Sequence, residues 1–176
     1  MRIYEEGSDL TFGDFSERDC FHIEKSRLYQ KSLSTHGVKT VEFALIHPDT
    51  SNGTGKLWLV EARKSFSHQE NRFNSNITEI SQKFIDSLQM SCSIWLGSHR
   101  NKAKLPSNIE DFFKHGGLFR FVLVIKEHDK RELLTIIGEA IKAKLKKEFR
   151  IWRFEIEVLD EELAIRRGLV IREAVR

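Results

Sequence analysis

Two apolar runs that flank a segment of turn-forming residues constrain the fold of this chain more than any other feature of the sequence. The runs are residues 38–47 and 56–65, and the segment 48–55 between them contains Pro, Asp, Asn and Gly. Runs of this composition joined by such a segment predict a β-hairpin. Both faces of each predicted strand are apolar along most of their length, which predicts a sheet that is covered on both sides.

Each strand of this predicted hairpin also carries a glutamate, Glu42 on the first and Glu61 on the second. If the turn centres on Ser51–Asn52, Glu42 faces Glu61 directly. If it centres on Asn52–Gly53, Glu42 faces Arg63 and Glu61 lies diagonally opposite. Side chains alternate between the faces of a strand, so both registers place the two carboxylates on one face, a few ångströms apart.

Two carboxylates that are close together on a covered sheet are costly, because like charges repel and burial removes their hydration. A divalent cation would offset that cost, and Mg²⁺ prefers oxygen ligands of this kind. Two simpler interpretations need no ligand. In one, Glu42 forms a salt bridge with Arg63, and in the other the strands lie at a sheet edge where the glutamates are solvated.

The remaining sequence predicts a single α/β domain over residues 1–176, with a central mixed β-sheet flanked by helices and an irregular lead-in at 1–18. An additional first strand is predicted at residues 20–29. Apolar positions at helical spacing and capping residues place the other elements. They are helices at 76–90, 107–114, 130–149 and 161–167, strands at 118–126 and 151–159, and a segment 91–96 that either extends the first helix or forms a short strand.

Composition excludes several classes of protein. No apolar run reaches the 18 residues of a membrane span, and the N-terminus lacks the apolar segment of a signal peptide. Two cysteines, Cys20 and Cys92, make neither a disulfide framework nor a zinc site. These features together predict a cytoplasmic protein without membrane contact.

The net charge of +3 is too small to indicate nucleic-acid binding, but basic residues concentrate in the segment 142–153. The segment is either the solvated face of a helix or a patch that contacts phosphates. In the second case, the candidate contacts to a nucleic-acid backbone are Lys142, Lys146, Lys147, Arg150 and Arg153.

The hairpin resembles the core of the PD-(D/E)XK nuclease superfamily, which has a restriction-endonuclease-like fold. That core carries an acid on its second strand and an acid-x-Lys motif on its third. Here Glu42 is followed after 18 residues by Glu61-Ala62-Arg63, and a predicted helix comes next. The segment 21–26 is similar to a first strand that carries an additional glutamate, here Glu24. The resemblance covers roughly residues 19–96.

This resemblance implies a nuclease that hydrolyses phosphodiester bonds with Mg²⁺ or Mn²⁺ as its cofactor. Glu42 and Glu61 would bind the metal, and Glu24 is a candidate third carboxylate, although it also fits an ordinary solvated strand residue. The implied partner is a nucleic acid, with DNA favoured over RNA. By analogy, such a small domain would act as a homodimer or as a subunit, in bacterial defence against phage or in nucleic-acid processing.

The sequence departs from the family motif at Arg63, which stands where the family has lysine. Arginine stays protonated and cannot act as a base, although it could orient water or stabilise negative charge. Lys64 follows directly, but strand alternation points it to the opposite face. The alternative function is therefore a catalytically degenerate module that binds nucleic acid or a protein partner without cleavage.

Overall fold

A computed structural model describes residues 1–47, 55–98, 103–127 and 131–172 as a single α/β domain, with a five-stranded mixed sheet flanked by helices. None of the described helices is both long and apolar enough to cross a membrane. Strands and helices are numbered in chain order. The elements are β1 (Ile3–Glu5), β2 (Leu10–Phe12), β3 (Cys20–Phe21), β4 (Phe43–His47), β5 (Lys56–Arg63), α1 (Glu70–Trp95), α2 (Ser107–His115), β6 (Phe119–Ile125), α3 (Arg131–Lys144), α4 (Glu148–Ile151), β7 (Phe154–Asp160) and α5 (Glu161–Arg166).

The main sheet has the order β3-β4-β5-β6-β7. β4 is antiparallel to both β3 and β5, whereas β6 runs parallel to β5 and β7 runs parallel to β6. Ala44 lies opposite Leu59, as the first of the two predicted registers requires, but Glu42 does not pair with Glu61 as that register predicted, because the pairing ends at Phe43. The turn predicted between these strands falls on residues 48–54, which lie outside the described residues.

The regular pairing of β4 with β5 ends one residue short of Glu42. Phe43 is the partner of Val60, and the backbone N–H of Glu42 donates to the same Val60 carbonyl at 3.0 Å. Two successive residues therefore lie against one, as in a β-bulge, which bends the strand and re-aims its side chains. The shift also moves Val41, which packs with Ala44 rather than with Phe43 as strict alternation predicted.

Both faces of the sheet are covered, as the two-sided apolar pattern predicted. On one face, Leu59 and Phe121 pack in a large core with the apolar stripes of α1 and α3. On the other face, Trp58 and Val60 pack beneath the β1–β2 hairpin and the C-terminal segment around Leu169. Glu61 and Arg63 contact α1 on the first of these faces.

The prediction of an irregular lead-in at residues 1–18 is wrong, because this segment contains the β1–β2 hairpin. Ile3, Leu10 and Phe12 are buried against the second face of the sheet. Each strand has only three residues, which is too short for an alternating pattern to be recognised in the sequence.

The predicted first strand, residues 20–29, is also wrong over most of its length. Only Cys20–Phe21 pairs with β4, and the chain then turns into a π-helical segment at Tyr29–Leu33. The N–H of Ser26 donates to the carbonyl of Ile23, and the Ser26 hydroxyl accepts from the N–H of Tyr29. Such local bonds offer the backbone an alternative to a strand ladder.

The predicted helices are present, but their ends differ. Helix α1 begins at Glu70 rather than at residue 76, and it continues to Trp95 without the alternative short strand. The helix predicted over 130–149 ends at Lys144, and α4 follows it, so the last strand begins at Phe154 rather than at 151. Residue 130, where this helix was predicted to begin, lies outside the described residues.

Candidate functional site

Glu42 and Glu61 are both withdrawn from solvent, with 4% and 0% of their surface exposed. The interpretation in which they are solvated at a sheet edge is therefore wrong. Glu61 lies near the carboxyl end of β5, between neighbours on both sides in the sheet. Carboxylates so deeply buried require nearby positive charge, hydrogen bonds or protonation.

Lys83 of α1 provides that positive charge. Its ammonium donates to Glu61 Oε1 at 2.8 Å and to Oε2 at 3.0 Å, and it lies 3.9 Å from Glu42 Oε1. Lys83 lies on the helix between the buried residues Ile80 and Phe84, so its aliphatic stem crosses the edge of the core before its charge reaches the glutamates. The like charges are thus compensated by a lysine from outside the strand pair.

Arg63 belongs to the same cluster but does not pair with Glu42. Its Nε lies 3.1 Å from Glu61 Oε1, and its Nη2 donates to Glu79 Oε1 of α1 at 2.6 Å. The predicted salt bridge between Glu42 and Arg63 is therefore replaced by contacts with other acids. Lys64 points away, as alternation predicted, and forms an ion pair at 3.9 Å with Glu127.

The burial of these groups changes their protonation. Burial is the main cause that raises the pKa of Glu42, and repulsion from Glu61 raises it further. Burial also raises the pKa of Glu61, but Lys83 and Arg63 oppose that rise. The pKa of Glu42 is therefore the more strongly raised of the two. Burial alone would lower the pKa of Lys83, but the contact with Glu61 reverses this effect and raises it.

Glu42 also contacts acids from two other parts of the chain. Carboxylate oxygens of Glu5, Glu24 and Glu42 all lie within 4.8 Å of one another. The backbone N–H of Glu24 donates to the carbonyl of Glu42 at 3.4 Å, which holds the turn after β3 beside the bulge. Glu24 is a half-buried turn residue rather than a solvated strand residue.

The structure does not bring the basic segment 142–153 to these acids. Its five candidate residues are exposed and lie where β7 begins. Phe154 pairs with Phe119, and Phe119 pairs with Leu57, whereas Glu61 lies four residues further along β5. That separation is about 13 Å along the sheet. A ligand that contacts both regions must extend across the sheet. The five candidate residues are Lys142, Lys146, Lys147, Arg150 and Arg153.

The sequence analysis missed Lys83, Glu79 and Glu5. The sequence pattern could have indicated the first two, because Glu79 and Lys83 are four residues apart and lie together at one border of the apolar stripe of α1. A charged pair at the border of a stripe lies where a helix meets its sheet. No comparable signal points to Glu5, which belongs to a short strand.

Comparison of the chain with protein-family models, with curated proteins and with solved structures found no significant match. The feature of the molecule that bears on function is one buried charged cluster, named here the acid–lysine centre. It consists of Glu42, Glu61, Arg63, Glu79 and Lys83. The centre combines buried carboxylates with a charged amine, an arrangement that can bind a cation or stabilise a phosphate.

Proposed function

We propose that this protein is a Mg²⁺-dependent nuclease of the PD-(D/E)XK type that hydrolyses phosphodiester bonds. The observation that carries the proposal is the burial of Glu42 beside Glu61 with one oxygen, Glu42 Oε2, left without a hydrogen-bond partner among the described residues. An orphaned buried carboxylate oxygen is expensive unless a cation or a proton satisfies it. The strand order, with two antiparallel pairs followed by parallel strands, is compatible with the proposed core.

The donor set fits Mg²⁺. Glu42 and Glu61 supply carboxylate oxygens, which is the ligand type that this hard cation takes while it keeps several waters. When bound, the cation lowers the pKa of a water ligand and neutralises charge on the scissile phosphate. Protein groups then have to position the water and the phosphate beside these two glutamates.

Lys83 supplies an amine in place of the lysine of the family motif, whose position in this chain is occupied by Arg63. Its raised pKa keeps it protonated, so it acts as a charged hydrogen-bond donor and not as a base. An ammonium that already lies 2.8 Å from Glu61 can hold that carboxylate in place and attract a phosphate oxygen. Arg63, held by Glu79 at 2.6 Å, adds a second fixed positive charge.

A specific observation also supports the second function, a module that binds nucleic acid or a protein without cleavage. Lys83 and Arg63 already contact Glu61, so this carboxylate is compensated without a metal. A centre that is stable without a cation can persist in a fold that has lost turnover. The two functions differ in whether Mg²⁺ produces cleavage.

The deciding experiment incubates purified protein with plasmid DNA and with RNA, in Mg²⁺, in Mn²⁺ and in EDTA. A nuclease cuts only with metal, and Glu61→Gln abolishes the cutting. The matched control Glu17→Gln leaves it intact, because Glu17 is exposed in the turn before β3. Cutting that survives Glu61→Gln identifies a contaminant. Salt-sensitive binding without cutting supports the non-cleaving module and rejects the nuclease.

A further inference from the structure

Three segments that are distant in the sequence each bring one carboxylate to the same place. Glu5 ends β1, Glu24 lies in the turn after β3, and Glu42 lies at the bulge before β4. Their oxygens lie within 4.8 Å of one another. Opposite ligands of a bound Mg²⁺ ion are about 4.2 Å apart, and those of the larger Ca²⁺ ion about 5 Å apart. The spacing therefore suits a hard divalent cation after small side-chain movements.

Glu42 distinguishes this group from an ordinary cluster of surface acids. It is 4% exposed, and its Oε2 has no hydrogen-bond partner among the described residues. Lys83 approaches the other oxygen, Oε1, and only to 3.9 Å. The carboxylate of Glu42, which lies close to those of Glu5 and Glu24, therefore has a buried oxygen without a hydrogen bond from any described residue. A cation or a proton would satisfy such an oxygen, and a cation would be shared with the two neighbouring carboxylates.

Glu5 and Glu24 are placed to complete the coordination. Both side chains are half-buried, so their loss of hydration is partial and water can still reach the group. Glu5 Oε1 accepts the N–H of Gly7 at 2.9 Å, which fixes the direction of this carboxylate. Three carboxylates and several waters form the type of coordination sphere that Mg²⁺ and Mn²⁺ adopt.

We propose that Glu5, Glu24 and Glu42 form a divalent-cation site. The N-terminal hairpin then contributes a metal ligand to the molecule and is tied by the cation to the central sheet. The site shares Glu42 with the acid–lysine centre. Cation binding at this site requires no nucleic acid and so does not depend on the proposed function. Only a role of the bound cation in contacting a phosphate rests on the proposed function.

The test measures Mn²⁺ binding by the full chain without nucleic acid, from the electron paramagnetic resonance signal of free Mn²⁺ at mildly alkaline pH. We expect Glu5→Gln and Glu24→Gln each to weaken binding at this site at least about tenfold. The matched control Glu6→Gln, which changes the exposed neighbour of Glu5, leaves binding unchanged. Circular dichroism confirms that each variant is folded, and either of the two ligand variants suffices.

Amide hydrogen exchange provides a second measurement that a merely structural role of Glu5 would not affect. Mn²⁺ should slow exchange in the β1–β2 hairpin of the wild-type protein and not in Glu5→Gln. Unchanged Mn²⁺ affinity in Glu5→Gln and Glu24→Gln, or no binding at millimolar Mn²⁺, overturns the site. Loss of binding in Glu61→Gln alone assigns the cation to the acid–lysine centre and also overturns it. Absence of cleavage with intact binding rejects only the nuclease.

Discussion

Replacing Lys83 with methionine tests whether this lysine compensates the buried Glu61. The substitution keeps an unbranched apolar stem but removes the ammonium that bonds both oxygens of Glu61, at 2.8 and 3.0 Å. Removing one partner of a buried ion pair costs about 3–5 kcal/mol. Glu61 can limit the cost by taking up a proton.

The size to which protonation of Glu61 limits this cost depends on the pH. An ordinary glutamate has a pKa near 4.5, so keeping Glu61 protonated at pH 7 costs about 3.4 kcal/mol, and each unit of lower pH reduces that by about 1.4 kcal/mol. In the variant, the folded state retains a proton that the unfolded chain releases above pH 4.5. The wild type also retains this proton up to about pH 7, to which burial raises the pKa of Glu61. The loss of stability relative to wild type is therefore small below pH 7 and grows by up to about 1.4 kcal/mol for each unit of pH above it.

Urea unfolding of wild type and Lys83→Met at about pH 6, 7, 8 and 9 measures this difference. Lys114→Met is the matched control, since that lysine is 56% exposed and pairs only with Asp111 of its own helix among the described contacts. We expect a control change below about 0.5 kcal/mol at every pH. A loss in Lys83→Met that stays constant with pH, or a loss as small as that of the control, would refute the assignment of Lys83 as the counterion of Glu61.

Three further predictions concern other residues of the site. Glu42→Gln should stabilise the protein at neutral pH by about 1–3 kcal/mol, because the raised pKa of Glu42 makes the wild type lose stability as the pH rises above 4.5. Urea unfolding at several pH values should show a flatter fall of stability in the variant, and an unchanged profile contradicts the prediction. If the protein cuts DNA, single-turnover assays should show that Lys83→Met slows Mg²⁺-dependent cleavage about 100-fold, whereas Arg63→Lys changes it less than about twofold. A large gain of activity in Arg63→Lys would show that Lys83 does not replace the lysine of the family motif. Lys146→Gln with Lys147→Gln should reduce the salt dependence of DNA binding by about two counterions, measured by fluorescence anisotropy, and an unchanged slope removes the segment 142–153 from the interface.

Much of the sheet could be predicted from the sequence. Alternation assigned Glu61 and Arg63 to one face and Lys64 to the other, and the turn-rich segment limited the pairing of β4 with β5 to two registers. Two-sided apolar strands predicted the cover on both faces. These features are determined locally, because side-chain direction along a strand depends only on backbone geometry.

The partners of the two glutamates were decided by the tertiary structure. Lys83 reaches Glu61 because packing fixes the rotation of α1 against the sheet, and the periodicity of the helix predicts its buried stripe but not which border residue meets a given strand residue. Glu5 meets Glu42 because a three-residue strand folds back over the sheet, and the bulge at Glu42 turns that side chain toward it. Contacts between segments far apart in the chain depend on how whole elements pack, so strand alternation could identify the buried acids, whereas only the assembled fold could determine which groups surround them.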